Sequence, residues 1–341
     1  MKVSSFDIFD TCLARKCGTP ENMLDVLSLR VFRTAVDERV RESFVVERRK
    51  AEERQWEQNP YVKLADIYRD MHFAHEALYD TKSLVEIETK LEDELLVPVL
   101  SIRDKINSLR DKGHHIIYIS DMYLPKEFIR KKMSQYGFLQ EGDSLYVSCE
   151  VGRRKSDGKL FEEVHECEKI AYNNWRHYGD SYLSDYCAPR RYGIRAKLIK
   201  NKQNPYPQRW VDQDFSTTYK YPSILAGLSS ALSVSNVNNS HRDFVLDLIA
   251  PFYCSWIYQV LKQAEVLHHT RLYFLARDAY MMYHIALQMK PLFPKIECKY
   301  LYMSRKSLYE GNKENRLRYF EQEGLATKND NVAVVDSTTC G

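Results

Sequence analysis

The chain has 341 residues, which is enough for two domains, each with its own apolar core. Apolar residues make up 44% and charged residues 28%, a globular composition that excludes a largely disordered chain. The formal net charge of +3 is too balanced for extended binding of nucleic acid, so we expect any anion-binding site to be local.

The cysteines and the amino terminus indicate the compartment. The eight cysteines include no C-x-x-C pair and no group at zinc spacing, which favours reduced thiols. The chain lacks an apolar secretory segment before Asp7. Residues 244–261 are the most membrane-like stretch, but Asp247 and Pro251 interrupt them, so a buried helix explains them better. We therefore expect a cytoplasmic protein with no membrane span.

Strand-like and helix-like segments alternate over the first 200 residues. A short apolar run at residues 3–9 ends in polar residues and predicts a buried strand. From Pro20 to about residue 100 the chain is charged, with apolar residues at helical spacing, which predicts an all-helical insert. The later segments are a strand at 115–121, a helix at 125–136, a strand at 144–148, a helix at 160–167 and a strand at 174–180. This order predicts an α/β fold with a Rossmann-like parallel sheet.

The pattern also predicts the domain organisation. Residues 1–19 and 101–200 form the predicted core, and residues 20–100 form the insert. Residues 201–222 are rich in proline and poor in aliphatic residues, which predicts a linker. Strand-like runs at 271–276, 299–303 and 331–335 predict a second α/β domain over residues 223–341. Because the chain stops where a strand and loop would ordinarily lead into a helix, we expect this domain to be truncated.

Four polar clusters lie at or after the ends of predicted core strands, near positions 7, 120, 155 and 180. Because the carboxyl ends of parallel strands share one edge of a sheet, we expect these clusters to converge. Their order resembles the four motifs of the haloacid dehalogenase (HAD) superfamily over about residues 1–200. The matching residues are Asp7-x-x-x-Thr11, Ser120 at the end of a core strand, Lys155 before a helix, and Asp180-x-x-x-x-Asp185.

The resemblance implies a phosphohydrolase. Asp7 would attack phosphorus to form an aspartyl-phosphate, and Thr11 and Ser120 would donate hydrogen bonds to the phosphoryl oxygens. Lys155 would neutralise negative charge; Lys159 is a rival for this role, but the spacing to Phe161 favours Lys155.

The resemblance also implies a metal and a cap. Asp7, Asp180 and Asp185 would hold Mg²⁺, a hard cation that prefers carboxylate oxygens. Residues 20–100 would form a helical cap that closes over a small phosphorylated metabolite. The two further aspartates argue against dehalogenation, which needs no metal.

One position departs from the pattern of HAD phosphatases. They carry a second aspartate two residues after the nucleophile as the general acid and base, and here that residue is Phe9. Asp10 is a candidate substitute if it lies in a turn rather than in a continuing strand. The segment Ser-Phe-Asp-Ile-Phe-Asp-Thr also resembles a subset of predicted hydrolases in this superfamily. A phosphotransferase or mutase, and a phosphate-binding module with weak or no turnover, stay open as alternatives.

Other residues of the insert have two interpretations. Arg30, Arg48 and Arg54 belong to a basic stretch, but interleaved acids favour a salt-bridged surface over a phosphate-binding patch. Trp56, Tyr61 and Tyr68 are in a position to stack on a sugar, but their spacing favours packing in the core.

The second domain gives weaker signals. Its segments around Arg277, Ser304 and Asp336 resemble those that follow the same hydrolase domain in larger bacterial proteins, some encoded near surface-polysaccharide genes. That resemblance implies a sugar phosphate or nucleotide-sugar phosphate as substrate. Asp278, Ser304 and Ser337 would cap helices if this domain has no ligand site. The sequence leaves the oligomeric state open.

Overall fold

The computed structural model describes residues 2–32, 38–73, 79–199, 221–236, 240–325 and 331–336. The chain divides into two compact units, Met1–Asp247 and Leu248–Gly341. Residues 223–247, which we assigned from the sequence to the second domain, therefore lie in the first unit. Most of the predicted linker, residues 201–220, lies outside the described residues.

The first unit contains a parallel five-stranded sheet and a short two-stranded antiparallel sheet. In chain order the strands are β1 (Val3–Phe6), β2 (Leu13–Arg15), β3 (Leu96–Pro98), β4 (His115–Ser120), β5 (Ser144–Val147), β6 (Trp175–Gly179) and β7 (Arg195–Leu198). The order in the sheet is β5-β4-β1-β6-β7, with Phe6 opposite both Tyr118 and Tyr178. The predicted α/β, Rossmann-like core is confirmed.

Helices flank the sheet and form the insert. They are α1 (Pro20–Phe32), α2 (Glu38–Gln58), α3 (Leu64–Arg69), α4 (Thr81–Leu95), α5 (Leu100–Asp111), α6 (Lys126–Gln135), α7 (Ser148–Val151), α8 (Lys159–Glu168), α9 (Ala188–Arg190), α10 (Tyr221–Val234) and α11 (Ser240–Phe244). A 3₁₀ turn spans Tyr172–Asn174, and π-helical turns span Tyr182–Cys187 and Val245–Ile249. Asp80 caps α4, because its carboxylate accepts a hydrogen bond of 2.7 Å from the Ser83 amide.

Both faces of the central sheet are covered, and β4 is apolar between its first and last residues. Phe6, Ile117 and Ile119 are fully buried, and the ring of Phe6 stacks on that of Tyr178 at 4.7 Å. A sheet buried on both faces leaves its strand ends as the main place for polar side chains. The polar residues that follow β1, β4 and β6 lie at this edge.

The two ends of the insert are joined by the antiparallel pair of β2 and β3, which connects the insert to the core. These strands are antiparallel, with Leu13 opposite Pro98 and Arg15 opposite Leu96. Helix α10 packs against the same pair of strands. A Cβ on Gly227 would lie 2.3 Å from the carbonyl carbon of Cys17, so only glycine permits this approach.

Side chains of the insert form a buried polar network and contact the core. The Arg48 guanidinium and the Glu88 carboxylate are fully buried and form a two-point ion pair, which the Tyr68 hydroxyl joins. Trp56 lies under the guanidinium of core residue Arg154, at 4.6 Å. Tyr61 covers Gly152 so closely that a Cβ there would lie 2.4 Å from its ring. Tyr68 is buried as its spacing favoured, whereas Trp56 is half-buried and Tyr61 is 52% exposed and packs only on the core surface.

Ion pairs account for other arginines of the basic stretch. Arg30 pairs with Glu94, and Arg54 pairs with Glu47 and Asp70. Their contacts agree with the prediction of a salt-bridged surface.

The second unit has a parallel sheet of β8 (Arg271–Leu275), β9 (Glu297–Leu301) and β10 (Val332–Val335), in the order β10-β8-β9. Its helices are α12 (Ala250–Val266), α13 (Tyr280–Gln288), α14 (Arg305–Tyr309) and α15 (Lys313–Glu323). Ser304 caps α14, in line with the capping interpretation, but the N-cap of α13 is Ala279 and not Asp278. Ser337 lies outside the described residues. In the part of the chain that the structure describes, no helix has the length and apolarity needed to span a membrane.

Candidate active site

Asp7 lies immediately after the end of β1. Its amide donates a hydrogen bond of 2.8 Å to the carbonyl of Tyr178, so the pairing with β6 continues for one residue beyond the strand. Its side chain is 7% exposed and therefore lies inside the edge of the sheet. A buried carboxylate needs a charged partner, because its desolvation is costly.

Lys155 is that partner. Its Nζ atom lies 2.5 Å from Oδ1 of Asp7 and 2.7 Å from Oδ1 of Asp185, and the side chain is 4% exposed. The Asp121 carboxylate fixes the backbone of Lys155 by accepting its amide at 2.9 and 3.0 Å. Lys159, the rival in sequence, is 64% exposed and pairs with Asp157. Of the two lysines, it is Lys155 that reaches Asp7.

Asp180 and Asp185 follow β6. Asp185 lies in the π-helical turn, and its Oδ2 atom accepts a hydrogen bond of 3.1 Å from the Ser181 amide. Gly179 makes room for it, since a Cβ there would lie 2.3 Å from Cγ of Asp185. The Thr11 hydroxyl donates to Oδ1 of Asp180 at 3.4 Å. The polar cluster that follows β1 therefore contacts the one that follows β6.

The three carboxylates form one cluster. Each of Asp7, Asp180 and Asp185 offers an oxygen atom, and these atoms all lie within 4.8 Å of one another. Such crowding is electrostatically unfavourable unless cations lie among the carboxylates. Hard oxygen ligands at this spacing fit Mg²⁺.

Burial perturbs the ionisation of the cluster. It raises the pKa of Asp7 well above its usual value; Lys155 opposes this effect, and Asp185 and Asp180 add to it. Burial and the charge of Asp185 also raise the pKa of Asp180. For Asp185, attraction to Lys155 and the hydrogen bond from His177 outweigh burial and hold the pKa below its usual value. Burial favours neutral Lys155, but the attraction of Asp185 and Asp7 outweighs it and raises the pKa of the ammonium.

Asp10 lies in a turn and not in a continuing strand. Its φ of +59° is left-handed, a conformation that aspartate tolerates better than most residues. Its carboxylate lies 3.6 Å from Nη1 of Arg15, which is buried and pairs with Glu92. Burial raises the pKa of Asp10 to about 6, with Arg15 opposing the rise and Asp180 contributing to it. The Arg15 guanidinium also lies over the ring of Phe9, 4.9 Å from its centroid.

The sequence analysis missed a buried hydrogen-bonded chain behind the carboxylates. Trp175 Nε1 donates to Ser5 Oγ at 2.7 Å, and Ser5 Oγ lies 2.7 Å from Nδ1 of His177. His177 Nε2 lies 3.0 Å from Oδ1 of Asp185. Burial lowers the pKa of His177 despite its acidic neighbour and so favours the neutral imidazole. The available signal was the presence of polar residues, Ser5 and His177, inside two strands of the predicted parallel sheet.

The structure brings most of the predicted site residues to one place. Asp7, Lys155 and Asp185 are in direct contact, and Asp180 joins them through the cluster and through Thr11. Ser120 is buried at the end of β4, next to Asp121, whose carboxylate holds the Lys155 backbone. The predicted convergence at the carboxyl edge of the sheet is thus observed.

Comparison with solved structures finds several similar chains. A HAD phosphatase from Thermococcus onnurineus is 18% identical, with a TM-score of 0.42, over 60% of this chain and 88% of that one. A HAD family enzyme from Bacteroides thetaiotaomicron is 15% identical, with a TM-score of 0.45, over 60% of this chain and 96% of that one. A 2-haloacid dehalogenase from Pseudomonas syringae is 16% identical, with a TM-score of 0.41, over 61% of this chain and 87% of that one. No protein-family model and no curated protein matches the chain.

Proposed function

We propose that the first unit is a HAD-type, Mg²⁺-dependent phosphohydrolase that acts on a small phosphorylated metabolite through an aspartyl-phosphate. The observation that carries this proposal is the position of Lys155, whose buried ammonium bridges Asp7 and Asp185. A lysine in this place opposes the burial that raises the pKa of Asp7 and favours its anionic form, which is the form that attacks phosphorus. The same ammonium offsets the negative charge that an incoming phosphoryl group brings.

The donor set supports Mg²⁺ as the cofactor. Asp7, Asp180 and Asp185 would hold the ion, because their oxygen atoms lie within 4.8 Å of one another and carboxylates suit hard cations. When bound, the ion supplies charge neutralisation and orientation for the phosphoryl oxygens. Burial raises the pKa of both Asp7 and Asp180, and a cation would favour their ionised forms.

The proposed reaction has two displacements at phosphorus. In the first, an Asp7 oxygen forms a bond to phosphorus and the ester P–O bond breaks, and the leaving oxygen takes up a proton. In the second, water attacks the same phosphorus, the bond to Asp7 breaks, and the water gives up a proton. Thr11 and Ser120 are proposed to donate hydrogen bonds to the phosphoryl oxygens, since Thr11 contacts Asp180 and Ser120 ends β4, the strand next to β1.

Asp10 is the proposed proton donor and acceptor. Phe9 occupies the usual position of that group and offers no titratable atom. Asp10 is displaced from the strand direction by its left-handed turn, and its pKa of about 6 suits proton transfer in both directions near neutral pH. Protonated Asp10 would give its proton to the leaving oxygen and recover one from the attacking water.

Phosphate release tests the proposal. The substrates are sugar phosphates, nucleotides and a generic aryl phosphate, each with Mg²⁺ and with chelator. The proteins are the wild type, Asp7→Asn, Asp10→Asn and the control Asp104→Asn, which changes a carboxylate that is 73% exposed. We expect Asp7→Asn to abolish turnover and Asp104→Asn to retain it.

The Asp10→Asn variant tests the proton-transfer role separately. We expect it to lose turnover of alkyl phosphates by roughly a hundredfold or more, but less for the aryl phosphate, whose leaving group needs no proton. An equal loss for both would leave Asp10 only the deprotonation of water, and an unchanged turnover of both would remove Asp10 from proton transfer. Turnover that survives Asp7→Asn would refute the aspartyl-phosphate mechanism.

Phe9 favours phosphotransfer as the second candidate function. An aspartyl-phosphate that lacks an efficient base reacts slowly with water and survives long enough to meet another acceptor. Product that carries the phosphoryl group after addition of an alcohol or sugar acceptor would distinguish this reaction from hydrolysis. Tight Mg²⁺-dependent binding of a phosphorylated ligand without any turnover would support a binding module instead.

A further inference from the structure

We propose that His177 is a positioning residue that fixes the Asp185 carboxylate, and through it the ammonium of Lys155, at the nucleophile. The inference rests on the site of the proposed phosphohydrolase. It concerns a residue that does not touch the substrate and acts through Asp185.

The residues behind Asp185 form a buried chain between two adjacent strands. Ser5 of β1 and His177 of β6 lie opposite each other in the sheet, and both side chains are fully buried. The Phe161 ring contacts the imidazole edge-on, with ring centroids 5.0 Å apart. The imidazole is therefore held by packing as well as by hydrogen bonds.

The donors and acceptors along the chain fix the position of the imidazole proton. The indole of Trp175 only donates, so Ser5 Oγ accepts that hydrogen bond. The Asp185 carboxylate at the other end of the chain only accepts, which places the imidazole proton on Nε2 and leaves Nδ1 to accept the proton of Ser5 Oγ. Nδ1 is consequently the acceptor, Nε2 carries the proton, and Nε2 donates to Oδ1 of Asp185.

This donor restricts the Asp185 carboxylate. Oδ1 receives hydrogen bonds from both His177 and Lys155, at 3.0 and 2.7 Å, while Oδ2 receives one from the Ser181 amide. Donors on both oxygens prevent rotation of the carboxylate group about its Cβ–Cγ bond. Without the hydrogen bond from His177, Oδ1 would retain only the flexible lysine, and the ammonium would lose a fixed anchor 2.7 Å away.

A histidine that merely fills the core predicts a different outcome. Its replacement would change the free energy of unfolding but leave the affinity for Mg²⁺ and the turnover of folded protein unchanged. A positioning residue behind a ligand typically changes metal affinity or activity by roughly ten- to a hundredfold. Metal affinity and turnover of folded protein therefore separate the two roles.

The first experiment observes the imidazole of the wild type directly. Nitrogen-15 NMR of histidine-labelled protein reports which nitrogen of His177 is protonated, with His177→Gln used to assign its signals. We expect a proton on Nε2, the nitrogen that faces Asp185. An imidazole whose single proton lies on Nδ1 overturns the proposal.

The second experiment compares two substitutions. His177→Gln keeps an N–H group near the position of Nε2, whereas His177→Leu removes the donor. Calorimetry should give a Kd for Mg²⁺ that rises roughly ten- to a hundredfold in His177→Leu and recovers largely in His177→Gln. Turnover of the aryl phosphate should show the same order, with the change in kcat rather than in KM.

Controls keep the outcome decisive. His165→Gln replaces a histidine that stacks on Tyr172 and contacts the Ile170 carbonyl, and it should leave the Kd for Mg²⁺ unchanged. If His177→Leu fails to fold, Ser5→Ala removes the donor to Nδ1 and should also weaken Mg²⁺ binding. Equal effects of the leucine and glutamine variants, or an unchanged Kd in folded His177→Leu or Ser5→Ala, overturn the proposal.

Failure of the proposed function is distinguishable from failure of this inference. The NMR and calorimetric results require no turnover. A wild type that binds Mg²⁺ in the expected order of variants but releases no phosphate supports the role of His177 and counts against the phosphohydrolase.

Discussion

Gly179 is the position at which one added methyl group tests the geometry of the site. In Gly179→Ala the new Cβ would lie 2.3 Å from Cγ, 2.5 Å from Cβ and 2.6 Å from Oδ2 of Asp185. Carbon atoms ordinarily approach to about 3.5–4.0 Å, so Asp185 must move by roughly 1 Å. The Gly179 backbone is not left-handed, so alanine adds no strain of that kind.

The expected cost follows from what Asp185 holds. Its displacement stretches the hydrogen bonds of 2.7 Å to Lys155 and 3.0 Å to His177. Overpacking of a buried position costs about 1–3 kcal/mol, and each kcal/mol lowers the Tm by roughly 2–4 °C for a unit of this size. A displacement of about 1 Å near the reacting atoms also lowers turnover by roughly a hundredfold.

A double-mutant cycle assigns this cost to the contact. Asp185→Gly removes all three atoms that clash, so adding Gly179→Ala in that background should change the free energy of unfolding by less than about 0.5 kcal/mol. Urea unfolding of the four proteins gives the coupling, and phosphate release by Gly179→Ala gives the catalytic effect. An undiminished Tm and turnover in Gly179→Ala would refute the reasoning, as would the same loss of stability in both backgrounds.

Two further predictions concern charge. Arg48→Met should destabilise the protein by about 3–5 kcal/mol in urea unfolding, because it leaves Glu88 buried without its charged partner. Arg30→Met breaks an exposed pair and should cost less than about 1 kcal/mol. Similar costs for the two variants would contradict this ranking. Because the pKa of Asp10 rises from 3.8 to about 6 on folding, its contribution to stability is lost as the pH rises through this range. Unfolding measured against Asp10→Asn should show that loss, and a pH-independent difference would exclude it.

The fold and the main site residues could be predicted because their signals are local. The apolar run of β4 and the polar residues at its end are visible within a few positions, as are Asp7 and Asp180 after their strands. Parallel pairing then places such ends at one edge. The order of the four motifs supplied the rest of the prediction.

The supporting contacts could not be predicted, because they join residues far apart in the chain. Ser5 and His177 are separated by 172 positions, and Arg15 and Glu92 by 77. No periodicity reports such pairs. The left-handed turn at Asp10 was also hidden, since an aspartate after an apolar run is compatible with a strand or a turn. Helix α10 packs on β2 and β3 and approaches the chain closely at Gly227, and it therefore belongs to the first compact unit, which extends to residue 247. No local sequence signal reports this contact.

The antiparallel pairing of β2 with β3 brings the two ends of the insert together. Arg15 and Leu96 face each other across two antiparallel strands, so the chain returns beside the point from which it departed. Two such strands are close enough for a two-residue turn to join them. Insertions of different length can therefore be exchanged at this junction without altering the pairing of β1 with β4. Under the proposed function, an exchanged segment would change the substrate preference while Asp7 and Lys155 keep their places.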